Sequence, residues 1–227
     1  MKKLAIFDID GTIFRSSLLI EVTAGLIEAG IFPKNTKNAY ELSYRNWLDR
    51  KESYETYIWD VIRVFEKNIK GVSHHDFLAV SKKVVDIHKN KVYTYTRDLI
   101  RDLKKKNYYL LAISHSPKEL VDEFCRNLGF DKVYGRVYEF DANKKFTGST
   151  LYLDLISDKS KILLRAAEKE NLSLKNSVGV GDTDGDIPFL KLVAKPVCFN
   201  PNKKLYLYAK KAKWSIIVER KDVIYNV

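Results

Sequence analysis

From residue 15 to residue 90 the sequence carries only helical spacing, while on either side short apolar runs alternate with amphipathic stretches. Few architectures accept such a pattern. Strands that follow one another through helices pair in parallel, and a parallel sheet must be covered by helices on both faces. An uninterrupted helical block set inside that alternation reads as an insertion into a sheet protein, not as a bundle.

The individual elements follow from periodicity. Leu4-Ala5-Ile6-Phe7 is a continuous apolar run ending in Asp8, as a strand buried on both faces reads. Ser17 to Ala29 places Leu18, Leu19, Val22, Leu26 and Ile27 at helical intervals, and Gly30 with Pro33 stops it. Further helices are predicted over about 36–50, 54–69 and 74–90. The middle one has Ile58, Val61, Ile62, Phe65 and Ile69 on one face. Then come a helix from Thr96 to Lys106, a strand from Tyr108 to Ile113 ending at Ser114, and a helix from Pro117 to Leu128 closed by Gly129. A hairpin is predicted from Val133–Phe140 and Lys145–Leu153, followed by a helix from Lys159 to Glu170. The remainder reads as strand Ser177–Val180, short helix Ile187–Val193, strand Pro196–Phe199, helix Lys203–Lys211 and strand Trp214–Val218. The predicted fold is α/β, a doubly wound (Rossmann-like) parallel sheet of residues 1–14 and 91–227 with residues 15–90 inserted as an all-helical cap domain.

A chain of 227 residues, 45% hydrophobic and 30% charged, can bury a core without staples. Its two cysteines, Cys125 and Cys198, lie in unrelated contexts and form no CxxC pair, so neither a disulfide framework nor a zinc site is expected, and a reducing compartment fits. Asp8 and Asp10 break the N-terminal apolar run before it reaches signal-peptide length, and no stretch is long enough for a membrane span. The expectation is a cytoplasmic protein without a membrane partner. A net charge of +11 raises a nucleic-acid reading. The lysines, however, come as scattered pairs and triplets such as Lys104–Lys106 and Lys210-Lys211, and no nucleic-acid-binding motif accompanies them. They are read as a solvated surface, so no nucleic-acid partner is expected. The sequence carries no signal for an oligomeric state.

Two motifs carry the chemistry. Asp8-Ile9-Asp10-Gly11-Thr12 sets two carboxylates at the carboxyl end of a buried strand, facing the crevice where open α/β sheets bind ligands. Two like charges so close are costly to bury unless a cation or proton compensates them. Gly179-Val180-Gly181-Asp182-Thr183-Asp184-Gly185-Asp186 follows a second apolar strand, so Asp182 sits at the same kind of strand end. Carboxylates gathered there make a hard-oxygen site suited to Mg2+. Between the motifs lie Ser114, at a third strand end, and Lys159, at a helix start. A hydroxyl and an ammonium are what a phosphoryl group needs for hydrogen bonds and charge neutralisation.

In type and order these residues resemble the haloacid dehalogenase superfamily, and more narrowly its phosphoserine-phosphatase-like branch with a helical cap. The motifs run Asp8-x-Asp10-Gly11-Thr12, Ser114, Lys159, then Gly181-Asp182 with Asp186; Ser114-His115-Ser116-Pro117 and Leu128-Gly129-Phe130 look like that branch too. Lys161 rivals Lys159, which is preferred because Leu163 follows it four residues on. The resemblance implies that Asp8 attacks phosphorus to form an aspartyl-phosphate and that Asp10 acts as general acid, then general base. It implies Mg2+ held by Asp8, the Asp10 carbonyl and Asp182, and phosphate oxygens held by Ser114, Lys159 and the backbone N–H groups near Gly11. Asp186 would orient Lys159 or a metal-bound water.

The implied substrate is a small phosphorylated metabolite. Transfer to an acceptor other than water, or action on nucleic-acid ends, would use the same intermediate. Phosphoserine itself fits less well. That branch places a glutamate soon after the first motif to bind the amino group; here the nearby positions are Arg15, Ser16 and Ser17, and the first acid is Glu21. Arg15 or Arg45 would be the residues to meet an anionic part of a substrate. Tyr40, Tyr44 and Trp47 share one helical face and are read as packing residues.

Overall fold

A computed structural model describes all 227 residues. The chain opens with β1 (Lys2–Asp8), then runs through α1 (Leu18–Glu28), α2 (Asn38–Leu48), α3 (Tyr54–Ile69) and α4 (His74–His88) with no strand among them. Next come α5 (Thr94–Lys105), β2 (Tyr109–Pro117), α6 (Lys118–Cys125), and the hairpin of β3 (Lys132–Phe140) and β4 (Phe146–Leu151). The last part holds α7 (Leu153–Ile156), α8 (Lys159–Lys169), β5 (Leu172–Gly181), α9 (Ile187–Leu190), β6 (Lys195–Phe199), α10 (Lys203–Ala212), β7 (Ser215–Arg220) and β8 (Val223–Asn226). No helix is long and apolar enough to cross a membrane.

The eight strands form one sheet in the order β4-β3-β2-β1-β5-β6-β7-β8. The six inner strands are parallel and the two edge strands antiparallel. The α/β doubly wound reading therefore holds. Chain order reverses direction at β1, which lies between β2 and β5, and the crevice at such a switch point is where a sheet of this kind receives its ligand. Both faces of the sheet are buried, as the continuous apolar run of β1 requires. Ala5 and Phe7 enter one apolar cluster with α1, α3, α4, α5 and α6. Leu4 and Ile6 enter the other with α8, α9 and α10.

The helical block does not enclose a core of its own. Val22, Leu26, Phe65 and Phe77 belong to the same cluster as Phe7, Phe124 and Phe146. Where the chain leaves and re-enters the sheet part, its two segments are stitched together. Arg15 N–H donates to Lys91 O at 2.8 Å and Tyr93 N–H to Ile13 O at 3.0 Å, around a Phe14–Val92 bridge.

Several boundaries differ from expectation. β2 continues three residues past Ser114, with a register break between Ile113 and Pro117. β5 starts at Leu172, five residues before the apolar run, because polar Ser173, Lys175 and Asn176 hide its first half. β8 is absent from the sequence reading. Its two-residue link to β7, Lys221-Asp222, puts Lys221 at φ 56° without the glycine that marks such turns.

Candidate active site

Register brings the candidate residues to one edge of the sheet. Asp8 pairs with Ile113, so Ser114 is the next residue along on β2; Phe7 pairs with Val180, so Asp182 lies just beyond β5. After Asp8 the chain makes a tight turn in which Ile9 O accepts the N–H groups of Ile13 and Phe14, each at 2.9 Å. Ile9 and Ile13 are fully buried and pin the turn. Thr96 Oγ1 ties it to α5 through Thr12 O at 3.0 Å.

Lys159 is the centre of the buried polar cluster. Its Nζ donates to Asp8 Oδ1 at 2.5 Å and to Asp186 Oδ1 at 2.6 Å. Asp158 caps α8 by accepting from Ser160 N–H at 2.9 Å, which fixes the helix start that carries Lys159. Lys161 faces solvent and donates to Asp154 O. Asp186 is saturated, because its Oδ2 also accepts the N–H groups of Asp182 (3.0 Å) and Thr183 (3.1 Å). Asp182 Oδ1 accepts from Thr12 Oγ1 at 3.2 Å. Asp8 Oδ2 is buried and has no hydrogen-bond partner.

Asp10 points to the other side of the crevice. Its Oδ2 accepts from Ser114 Oγ (2.6 Å) and Ser116 Oγ (2.9 Å), and its Oδ1 from the N–H of Leu18 (2.5 Å), the first residue of α1. Ser116 and Thr12 join the site without a role expected from the sequence. The signal for Ser116 was its spacing of two from Ser114 on a strand, which puts both hydroxyls on one face. His115 consequently faces away and meets Ile156 O at 2.9 Å. Arg45 is exposed and paired with Glu41 at 3.0 Å; Arg15 is exposed and makes no ion pair. A separate cavity of about 540 Å3, between β3, the β4 end and α8, contains none of these site residues.

Charge is out of balance in the cluster. Carboxylate oxygens of Asp8, Asp182 and Asp186 lie within 4.8 Å of one another, against the single ammonium of Lys159. Burial pushes Asp8 up to about 7, and neighbouring Asp186 and Asp10 add to the shift against the opposing pull of Lys159. Burial, then Asp8 and Asp186, also raise Asp182 well above the carboxylate range. Burial alone would lower Lys159, but the two carboxylates outweigh it and keep the ammonium charged. One ammonium beside three carboxylates leaves two negative charges uncompensated when all three are ionised. The residues present thus fit a divalent hard cation: an orphaned carboxylate oxygen on Asp8, a second open carboxylate on Asp182, and a charge deficit of two. The carboxylate of Asp10 is not part of this trio.

Gly11 contributes space, since its N–H already donates to Phe14 O (3.0 Å) and Ser16 O (3.1 Å) and is not free for a phosphate oxygen here. Its φ is +81°, and a Cβ there would lie 2.1 Å from Asp182 Oδ2. Gly11→Ala is therefore expected to cost about 1–3 kcal/mol in backbone strain and displaced carboxylate. Gly30, at φ +72° with nothing within 4 Å, supplies the comparison. If Gly30→Ala destabilises the protein as much as Gly11→Ala in thermal melts, the Asp182 contact is not what makes Gly11 necessary.

Comparison with known proteins follows the same lines. The family described as haloacid dehalogenase-like hydrolase matches residues 5–191. The phosphoserine phosphatase of Archaeoglobus fulgidus is 25% identical over 206 residues, covering 90% of this chain and 54% of that protein. The histidinol-phosphatase of Neisseria meningitidis serogroup C is 22% identical over 226 residues, covering 96% of this chain and 99% of that one. The chain thus spans about half the length of the first relative and nearly all of the second. A protein of unknown function from Bordetella pertussis Tohama I superposes with a TM-score of 0.75 at 16% identity, covering 95% and 98% of the two chains. A phospho-aspartyl intermediate analogue of phosphoserine phosphatase gives 0.61 at 23%, covering 97% and 95%. These two likenesses establish a shared fold.

Proposed function

The chain belongs to the haloacid dehalogenase-like hydrolases, and from that premise we propose that it hydrolyses small phosphate monoesters with Mg2+ as cofactor, through an aspartyl-phosphate on Asp8. The observation that carries this reading is the pairing of an Asp8 carboxylate oxygen that is buried and unpartnered with a second carboxylate, Asp10, fixed by three donors. Residues 15–90 act in this reading as the cap over the crevice, with the Leu18 N–H as their contact to Asp10.

The chemistry assigns each side chain a task. Asp8 forms the new O–P bond while the bond from phosphorus to the alcohol oxygen breaks. Asp10 delivers a proton to that oxygen as it leaves, then takes one from the water that attacks the phosphoryl-aspartate and frees Asp8. Ser114 and Lys159 each stand one hydrogen bond from a catalytic carboxylate, and in this reading they meet the phosphoryl oxygens. Asp186 keeps Lys159 in position. Asp8 and Asp182, with the Asp10 carbonyl, would hold Mg2+, which when bound neutralises charge between the carboxylate nucleophile and the phosphate.

Phosphoserine is not the favoured ester. Glu21, the acid available for an ammonium, already meets Lys91 Nζ at 2.9 Å and His88 Nε2 at 3.4 Å. The direct test is capture of the intermediate. Asp10→Asn should form the phosphoryl-enzyme from acetyl phosphate, an acyl phosphate whose acetate leaves without a proton, and fail to release it, because the base for the second step is gone. Intact-mass spectrometry should show one added phosphoryl group, mapped to Asp8. A phosphoryl group on another residue would sink the mechanism.

A further inference from the structure

We propose that the first turn of α3 is the leaving-group wall of this site, and that Tyr54, backed by Trp47 and Tyr57, selects esters whose alcohol carries a planar apolar ring. The inference rests on the hydrolase reading above and adds a substrate class to it.

Glu55, next to Tyr54, meets Lys204 Nζ at 3.2 Å, and Lys204 also reaches Asp184 Oδ2 at 3.6 Å. Asp184 lies two residues past Asp182, and Asn202 holds that loop through Asp182 O (2.8 Å) and Asp184 Oδ1 (2.7 Å). These exposed ion pairs add little energy. They do set the start of α3 beside the Asp182 loop. Tyr54 is 39% exposed, yet desolvation, then the charges of Asp10 and Asp182, push its phenol up. A solvent-reached side chain at a helix start tied to the Asp182 loop is the one this proposal sets against the cleft.

Behind Tyr54 stands an aromatic group from two helices. Trp47 packs edge-on against Tyr54 at 5.3 Å and stacks on Tyr57 at 5.8 Å and 13°. Tyr54 meets Tyr57 edge-on at 6.0 Å, and Tyr44 adds a contact to Tyr57 at 5.2 Å. Tyr57 is buried, but Tyr44 and Trp47 are only half-buried, so the cluster is not closed on itself. A ring entering beside Tyr54 would extend an edge-and-offset arrangement that aromatic groups favour, and would bury apolar area as it did so. The wall offers no free anion to an ammonium group, since Glu21 is already matched by Lys91 and His88. Tyr44 and Trp47, read from the sequence as packing residues, thus form the backing of the wall.

The test compares 2-phenylethyl phosphate with ethyl phosphate, two alkyl esters of similar intrinsic reactivity that differ by a ring. For the wild type kcat/KM should favour the phenylethyl ester by about tenfold or more, chiefly through KM. In Tyr54→Ala the ratio should fall close to one, and Tyr54→Phe should keep it. Because the readout is a ratio within one protein, partial loss of folding or of chemistry cancels. A wild-type ratio near one, a ratio that survives Tyr54→Ala, or its loss in Tyr54→Phe would overturn the proposal. Calorimetry with the matching phosphonates gives the same ratio as Kd. A protein that binds both phosphonates and hydrolyses neither ester would therefore refute the hydrolase reading while the wall was still judged on its own.

Discussion

Asp8→Asn should abolish turnover and at the same time make the metal-free protein more stable above pH 7. The first effect is the loss of the nucleophile, expected to lower kcat by roughly 10^4-fold or more. The second comes from the fold. Asp8 is 4% exposed and its folded pKa, raised by burial, is about 7 against an ordinary value of 3.8. Between those values the folded state binds more protons than the unfolded chain, so stability falls as pH rises through that window and the full penalty remains above it. Asparagine has the shape without the charge. The gain at pH 8 in chelator should be on the order of 2–4 kcal/mol, or several degrees in melting temperature. At pH 4, where the wild-type side chain is protonated in the fold, the two proteins should melt close together. A variant less stable than wild type at pH 8, or one that retains a tenth of the activity, would contradict the role given to Asp8.

Mg2+ should stabilise the wild type much more at pH 8 than at pH 5.5, and its removal should end turnover. At the lower pH, Asp8 in the metal-free fold keeps its proton, and Asp182 is shifted the same way, so an ion must displace protons to bind. At pH 8 Asp8 has lost its proton, and the ion meets its charged, orphaned oxygen directly. With the ion at a hundred times its Kd the gain is about 2.7 kcal/mol, or roughly 5–10 °C for a chain of this length. Melts in EDTA and in Mg2+ at both pH values measure it. Equal shifts at the two pH values would show that the ion binds away from the carboxylate cluster.

What could be read from the sequence were features that one segment displays by itself. β1 announced its two-sided burial through Leu4 to Phe7, and Asp8 and Asp182 announced strand ends, so the sheet, its helical insertion and the meeting of the motifs at one edge were all legible. Pairings between segments far apart in the chain were not. Nothing in the order of residues says that Ser114 would donate to Asp10, that Gly11 N–H would be consumed within its own turn, or that Asp186 would accept both Lys159 and two backbone N–H groups. Tyr54 escaped for the same reason. Its neighbour Glu55 is what meets the Asp182 loop, through Lys204 from the far end of the chain. Polar strands such as the start of β5, and a turn built on Lys221, were hidden because their residue types mimic loop and surface.

The stitched crossing at Phe14 and Val92 also bears on how quickly such a chain can find its sheet. β1 and β2 are neighbours, yet about a hundred residues separate them, and a closure entropy that grows with the logarithm of loop length sets the cost of that pairing. With the Arg15–Lys91 and Tyr93–Ile13 hydrogen bonds made, the loop that this pairing must close shrinks about fourfold, worth roughly 1.2 kcal/mol. In loop-closure terms the crossing turns the insertion into a short connector between β1 and β2.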